Sequence, residues 1–227
     1  MHTHPTQKIV KLAYAAYRIN NGYEKNTRRH SEDKPTVWSN KELIRYTLAA
    51  ENAKDDTYLP QDFDPIKVLD IDEEEMKEAE KHLRRYTLQI LGDDLNDFQK
   101  DVFAAYSQDE LPINKLGLIA YLPAMVKREI EDISYKKFLK QNYNESKAYT
   151  GNRVQAEVEI LKIVPMPMYD TTLYIAGSEG NLVSFTTKKP LKKDQTYNIS
   201  ARVKGEGKER DTGFTLTRLN YVKVLNG

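Results

Sequence analysis

Residues 195–224 read QTYNISARVKGEGKERDTGFTLTRLNYVKV. Two runs that alternate between apolar and polar residues flank a short, highly charged segment that contains glycine. This is the pattern of two β-strands joined by a turn. The pair could be an ordinary surface hairpin or the working edge of a small barrel, and the neighbouring segments favour the barrel.

Upstream of this stretch, the chain contains three more strand candidates. Residues 154–160 alternate strictly, and then Leu161, Ile163 and Val164 place apolar groups on both faces, as a bent first strand of a barrel would. The segments TLYIA and LVSFTT follow, separated by turn-forming residues. Five strands in this space predict an OB-fold-like β-barrel over residues 146–227, although an SH3-like barrel or a small sandwich fits the spacing nearly as well.

The first part of the chain, residues 1–145, shows a helical period instead. Ser39 and Glu42 have the spacing of a capping box, and a further helix is predicted from Asp72 to a stop at Gly92. Pro123 predicts a break or a kink between two later helices. The fold class is therefore α+β as two domains, an N-terminal all-α helical domain followed by the barrel.

Composition limits the possible functions. The 227 residues include no cysteine, which excludes disulfides, thiolate nucleophiles and cysteine-ligated metal centres. Mean hydropathy is -0.71, and no stretch reaches the roughly 18 apolar residues of a membrane span. The first residues lack the apolar core of a signal peptide. We therefore expect a soluble cytoplasmic protein without a membrane partner.

The net charge of +1 conceals an uneven distribution. Residues 61–146 carry 12 Lys and Arg against 19 Asp and Glu, whereas residues 147–227 carry 13 against 8. The predicted barrel is thus basic and the preceding segment is acidic. A basic barrel favours a polyanionic ligand.

In OB-folds the ligand lies across strands 2 and 3, between the loop that joins strands 1 and 2 and the loop that joins strands 4 and 5. Single strands of nucleic acid need flat rings for base stacking and cations for phosphates. These elements of the predicted barrel carry both residue types, although strand aromatics often belong to the core. The candidate nucleic-acid-binding residues are Arg153, Tyr169, Tyr174, Phe185, Lys188, Lys189, Lys204, Lys208, Arg210 and Arg218.

The segments GNRVQAEVEILKI, GNLVSFTT, LKKDQTYNISARVK and TLTR resemble an OB-like module of phage and phage-related replication proteins. The resemblance covers residues 150–224, about a third of the chain. It implies an OB fold that binds single-stranded DNA. The sequence departs from the pattern after Lys204, where a histidine is common, and at Asp194 and Gln195, which replace a Gly-Asp turn. No family resemblance is identified for the helical part.

Motifs for catalysis are absent from the sequence. It contains no phosphate-binding glycine loop and no Gly-x-Ser-x-Gly elbow. Glu157, Glu159 and Lys162 are of the types that a nuclease uses, but regular alternation leaves the two acids without a third partner. The four histidines, His2, His4, His30 and His82, are more simply explained without a metal. We therefore predict no enzyme activity, no cofactor and no metal site.

The leading hypothesis is a phage-encoded, single-stranded DNA-binding accessory protein of replication or recombination. The helical domain could recruit a replication or host protein. The alternative is an adaptor or inhibitor that binds a host enzyme through the same barrel, because small barrels bind peptides as readily as nucleic acids. A metal-dependent nuclease is the third hypothesis. Oligomeric state and the choice between DNA and RNA stay open.

Overall fold

The structure is a computed structural model that describes residues 3–28, 35–52, 58–67, 73–77, 80–81, 83–84 and 95–226. The chain forms two compact units, residues 1–130 and 131–227. The first is helical and the second contains a closed five-stranded β-barrel, which confirms the α+β fold class. The second unit begins at residue 131, inside a helix, whereas the sequence placed the boundary at 145/146.

Helices and one short sheet build the first unit. The helices are α1 (Thr6–Ile19), α2 (Asn40–Glu51), α3 (Asp97–Tyr106) and the start of α4 (Leu116–Asn142), and the strands β1 (Thr3–Pro5) and β2 (Glu110–Pro112) pair antiparallel. Apolar side chains of these helices form one core. No helix among the described residues is both long and apolar enough to cross a membrane.

The start of α2 confirms the predicted cap. The Ser39 hydroxyl accepts a hydrogen bond from the backbone N–H of Glu42 at 3.2 Å, which satisfies one of the free donors of the first turn. The Glu42 side chain turns back toward Ser39, and their side-chain oxygens lie 3.1 Å apart. Helix α1 ends at Ile19, just before Gly22, whose φ of +146° suits a residue without a side chain.

Helix α4 runs uninterrupted through Pro123. The predicted break is therefore absent, although proline removes one backbone hydrogen bond. Ile119, Ala120, Leu122 and Val126 are all buried on either side of the proline. Their burial in the core of the first unit offsets the local cost and keeps the helix continuous.

Several sequence predictions fall on residues that are not described. The helix predicted from Asp72 to Gly92 is described only at residues 73–77, 80–81 and 83–84, all helical. His2, His30 and His82 also lie outside the described residues.

The barrel contains β3 (Arg153–Met166), β4 (Thr171–Ser178), β5 (Asn181–Thr187), β6 (Thr196–Lys208) and β7 (Thr215–Asn226). Their order around the closed barrel is β3-β4-β5-β7-β6. All neighbouring pairs are antiparallel except β5 and β7, which are parallel. This closed five-stranded arrangement is consistent with an OB-like fold.

Strand β3 bends as the sequence predicted. Its first half pairs with β6, its second half pairs with β4, and the register shifts between Ile160 and Lys162. Ile160 lies in the barrel core, whereas its neighbour Leu161 packs in a separate apolar cluster. One long strand therefore serves two sides of the barrel, and the bulge explains why the alternation fails at Leu161.

Candidate functional site

The outer face of strands β4, β5 and β7 is partly covered by the chain itself. From residue 131 onward, α4 belongs to the barrel unit, and its Leu139 packs with Leu182 of β5 and Leu216 of β7, all of them buried. Tyr143, just after α4, lies over Gly177 of β4, where an added Cβ would stand 1.9 Å from its hydroxyl oxygen. The sequence analysis placed the ligand on the face of β4 and β5, which are the second and third strands of the barrel. This end of that face is therefore closed to a ligand.

Tyr174 and Phe185 lie inside the barrel, each 2% exposed, so we withdraw them from the candidate surface. They are directly opposed on β4 and β5, and their rings stack at 5.7 Å between centroids. Alternation explains the error, because the two residues share a face with the core residues Ala176 and Val183. The Tyr174 hydroxyl accepts a hydrogen bond from the Leu191 N–H at 3.2 Å.

The loop between β3 and β4 presents Tyr169, which is 69% exposed as predicted. Next to it, the Asp170 carboxylate forms an exposed ion pair with Lys188 at 2.8 Å. Lys189 is exposed beyond the end of β5. This loop thus offers an open ring, but Lys188, one of the two predicted cations that follow β5, is already paired with the Asp170 carboxylate.

The loop between β6 and β7 is fixed by Glu209, which is 1% exposed. One of its carboxylate oxygens accepts hydrogen bonds from the backbone N–H groups of Asp211 and Thr212 and from the Thr212 hydroxyl, at 2.8 to 2.9 Å. Asp211 pairs with Lys162 of β3 at 2.5 Å. The loop is therefore anchored to the barrel rather than free to close over a ligand.

The Tyr135 side chain of α4 lies beside this loop and Lys162. The Lys162 ammonium lies 4.8 Å from the centre of its ring. Burial, together with the Glu209 and Asp211 carboxylates, raises the pKa of the Tyr135 hydroxyl well above its ordinary value. The hydroxyl therefore stays protonated even at an alkaline pH at which a free tyrosine ionises.

The predicted cations do not converge on one face. Lys188 follows the end of β5, whereas loop 209–214 leads into the strand that pairs with Leu182 at the start of β5. At about 3.3 Å per residue, Lys188 therefore lies roughly 20 Å from loop 209–214 along β5. Four other predicted cations lie on β6, on β7 or in loop 209–214. Lys204 is exposed at a bulge of β6, and Arg210 is exposed in the loop. Lys208 donates to the Thr215 hydroxyl, and Arg218 lies against Gly207.

A different cation cluster lies on the outer face of β3, β6 and β7. Arg153, Arg202, Tyr221 and Lys223 line a surface groove with a volume of about 350 Å³, together with Ser200 and Ala201. Tyr221 is 76% exposed, and the Arg202 guanidinium lies 5.6 Å from the centre of its ring. We call this site the basic groove. Of its cations, only Arg153 was among the sequence candidates.

Strand register creates the basic groove. Arg153 of β3 lies directly opposite Arg202 of β6, and Lys223 of β7 lies opposite Ser200 of β6. Between Lys223 and Asn220, the register shifts so that Tyr221 and its neighbour face a single residue of β6. Tyr221 takes φ = +52° at this bulge, which directs its ring outward.

The three cations of the basic groove are unpaired within the described part of the barrel. No carboxylate of residues 95–226 lies within 4 Å of Arg153, Arg202 or Lys223, although other lysines of the same unit are paired. Like charges directly opposite each other on neighbouring strands destabilise a sheet. The Arg153–Arg202 pair therefore leaves a positive surface that an anion would neutralise.

Little in the sequence indicates this groove. Regular alternation places Tyr221 and Lys223 on the same face as Leu219, which is buried in the core. Only the bulge reverses that assignment, and it forms at a tyrosine, a residue type that rarely adopts positive φ. The observable signal was the pair of tyrosine and lysine at alternate positions in the last strand.

The third hypothesis, a nuclease, requires convergent carboxylates. Among residues that the structure describes, no group of three or more His, Asp or Glu side chains is placed to hold a metal ion. Glu157 and Glu159 are both exposed on β3. They lie opposite Asn198 and Thr196 of β6, neither of which supplies a third carboxylate.

Comparisons with family models, with curated proteins and with solved structures found no match to this chain.

Proposed function

We propose that the barrel binds single-stranded nucleic acid in the basic groove. The observation that carries the proposal is the directly opposed, unpaired Arg153 and Arg202 beside the exposed ring of Tyr221. An exposed ring supplies a stacking surface for a base, and the cations around it neutralise the flanking phosphates. Arginine suits this task because its planar guanidinium can both stack and donate to phosphate oxygens.

The backbone at Tyr221 supports a role in binding. A non-glycine residue in the left-handed region costs on the order of 1 to 2 kcal/mol, and such strained residues cluster at ligand sites. The side chain gains little from the fold in return, because 76% of it is exposed. Binding of a base to the ring gives a reason for a tyrosine at a position that glycine would occupy with less strain.

The resemblance of residues 150–224 to a phage replication module supports a role in DNA replication or recombination in a host cytoplasm. The basic groove itself suits DNA and RNA equally, because stacking and phosphate pairing do not involve the sugar 2′-hydroxyl. Parallel titrations with dT and U oligonucleotides of the same length decide the preference.

Tyr221→Gly tests the proposal without a large change in the fold. Relief of the backbone strain offsets the greater chain entropy of glycine in the unfolded state, so we expect the free energy of unfolding to stay within about 1 kcal/mol. Loss of the ring should lower the affinity for fluorescein-labelled dT8 about tenfold, since stacking contributes about 1 to 3 kcal/mol per base. Fluorescence anisotropy at about 50 mM salt, a condition that favours phosphate contacts, measures the affinity.

Tyr221→Phe is the matched control, because it keeps the ring and removes only the hydroxyl. We expect it to bind dT8 like the parent protein. Unchanged affinity of Tyr221→Gly would show that the ring does not contact the strand. Absence of dT8 binding by the parent protein would overturn the proposed function.

A further inference from the structure

We propose that the basic groove holds a short stretch of about three nucleotides and does not guide a long strand around the barrel. This inference rests on the proposed function and adds the size of the ligand. The groove offers three cations, Arg153, Arg202 and Lys223, and one exposed ring. One phosphate per cation gives about three phosphates, fewer than the roughly 4 to 16 nucleotides that OB-folds commonly cover.

Two carboxylates limit the extent of the basic groove along β3. Arg153, Gln155, Glu157 and Glu159 are successive exposed residues on the same face of the strand, because side chains alternate along it. At about 3.3 Å per residue, Glu157 follows Arg153 after roughly 13 Å. No cation lies within 4 Å of either glutamate among residues 95–226, so both repel a phosphate chain that leaves the groove in this direction.

On the opposite side, Lys204 follows Arg202 along β6 outside the groove, and the exposed carboxylate of Glu206 comes next. Arg218 is the next outward cation of β7, but the methylene groups of its side chain lie against Gly207 of β6. Leu216, which pairs with Gly207, is buried against α4. Glu206 therefore interrupts the positive surface beyond Lys204 and Arg218, and the covered face of β4 and β5 offers no continuation.

The salt dependence of binding measures the number of phosphates in contact. Each phosphate neutralised on a single strand contributes about -0.7 to the slope of log K against log salt. Three contacts predict a slope of about -2. This slope does not depend on how many equivalent positions a longer oligonucleotide offers, so it separates a short site from a long one.

The test compares fluorescein-labelled dT4 and dT16 with the full chain over a series of salt concentrations. We expect slopes of about -2 for both oligonucleotides. A slope for dT16 at least twice that for dT4 would overturn the short site and leave the proposed function intact. Absence of binding by both would overturn the proposed function itself.

The double variant Glu157→Lys/Glu159→Lys tests whether these two carboxylates end the binding site on β3. It extends the positive surface along β3, so the slope for dT16 should become steeper by about 0.7 to 1.4 while that for dT4 stays unchanged. Glu131→Lys/Glu145→Lys has the same net charge change at two exposed positions that do not line the basic groove, and it should leave both slopes unchanged. Equal slopes for the two double variants with dT16 would show that Glu157 and Glu159 do not limit the binding site.

Discussion

The double variant Arg153→Glu/Lys223→Glu is expected to bind dT8 about 100-fold more weakly than the parent protein at about 50 mM salt. Each substitution removes a charge-assisted contact worth about 1.5 kcal/mol and adds a repulsive charge. Both side chains are exposed and make no ion pair within residues 95–226, so their replacement should leave the fold intact. Anisotropy titration measures the affinity, and circular dichroism checks the fold.

A matched control has the same change in net charge at another place. Lys192→Glu/Lys193→Glu alters two exposed lysines of the loop between β5 and β6, which do not line the basic groove. Exposed charges beyond a Debye length are largely screened, so we expect a loss of about threefold or less. An equal loss in both double variants would mean that the strand is attracted by overall charge and not by the basic groove.

The second large effect concerns stability. Glu209→Ala removes the buried carboxylate that accepts three hydrogen bonds from loop 209–214. Two backbone N–H groups and one hydroxyl lose their partner, so we expect the free energy of unfolding of the barrel unit to fall by about 3 kcal/mol. Urea denaturation followed by far-ultraviolet circular dichroism measures the change.

Glu206→Ala is the control for Glu209→Ala, because Glu206 is an exposed carboxylate of β6, the strand that leads into the same loop. Its loss should change stability by about 0.5 kcal/mol or less. The single tryptophan, Trp38, lies in the unit of residues 1–130, so its fluorescence follows the unfolding of that unit. A barrel transition that is the same in Glu209→Ala and Glu206→Ala would contradict the role of Glu209.

The barrel was predictable because its strands alternate over short runs and are separated by turn formers. The failure of alternation at Leu161 correctly indicated a bent first strand, since the bulge after Ile160 places consecutive apolar residues in two clusters. The Ser39 cap was predictable because it depends on residues three positions apart. Local patterns of this kind need no knowledge of the tertiary structure.

The candidate site was less predictable because it depends on contacts between distant residues. The sequence does not show that Tyr143 covers Gly177 and that Leu139 packs on Leu182. This covering removes part of the expected ligand face. The sequence also does not show that the bulge at Tyr221 turns this ring outward while Tyr174 and Phe185 stack inside. Aromatic residues at alternating positions fit either face until the register is known.

Photo-crosslinking tests the central claim, that a base stacks on Tyr221 in the basic groove, most directly. The full chain is irradiated with an oligonucleotide that carries 4-thiothymidine, and the modified peptide is identified by mass spectrometry. We predict a crosslink in the peptide that contains Tyr221. A crosslink confined to the peptide that contains Tyr169, the exposed ring of the loop between β3 and β4, would contradict it.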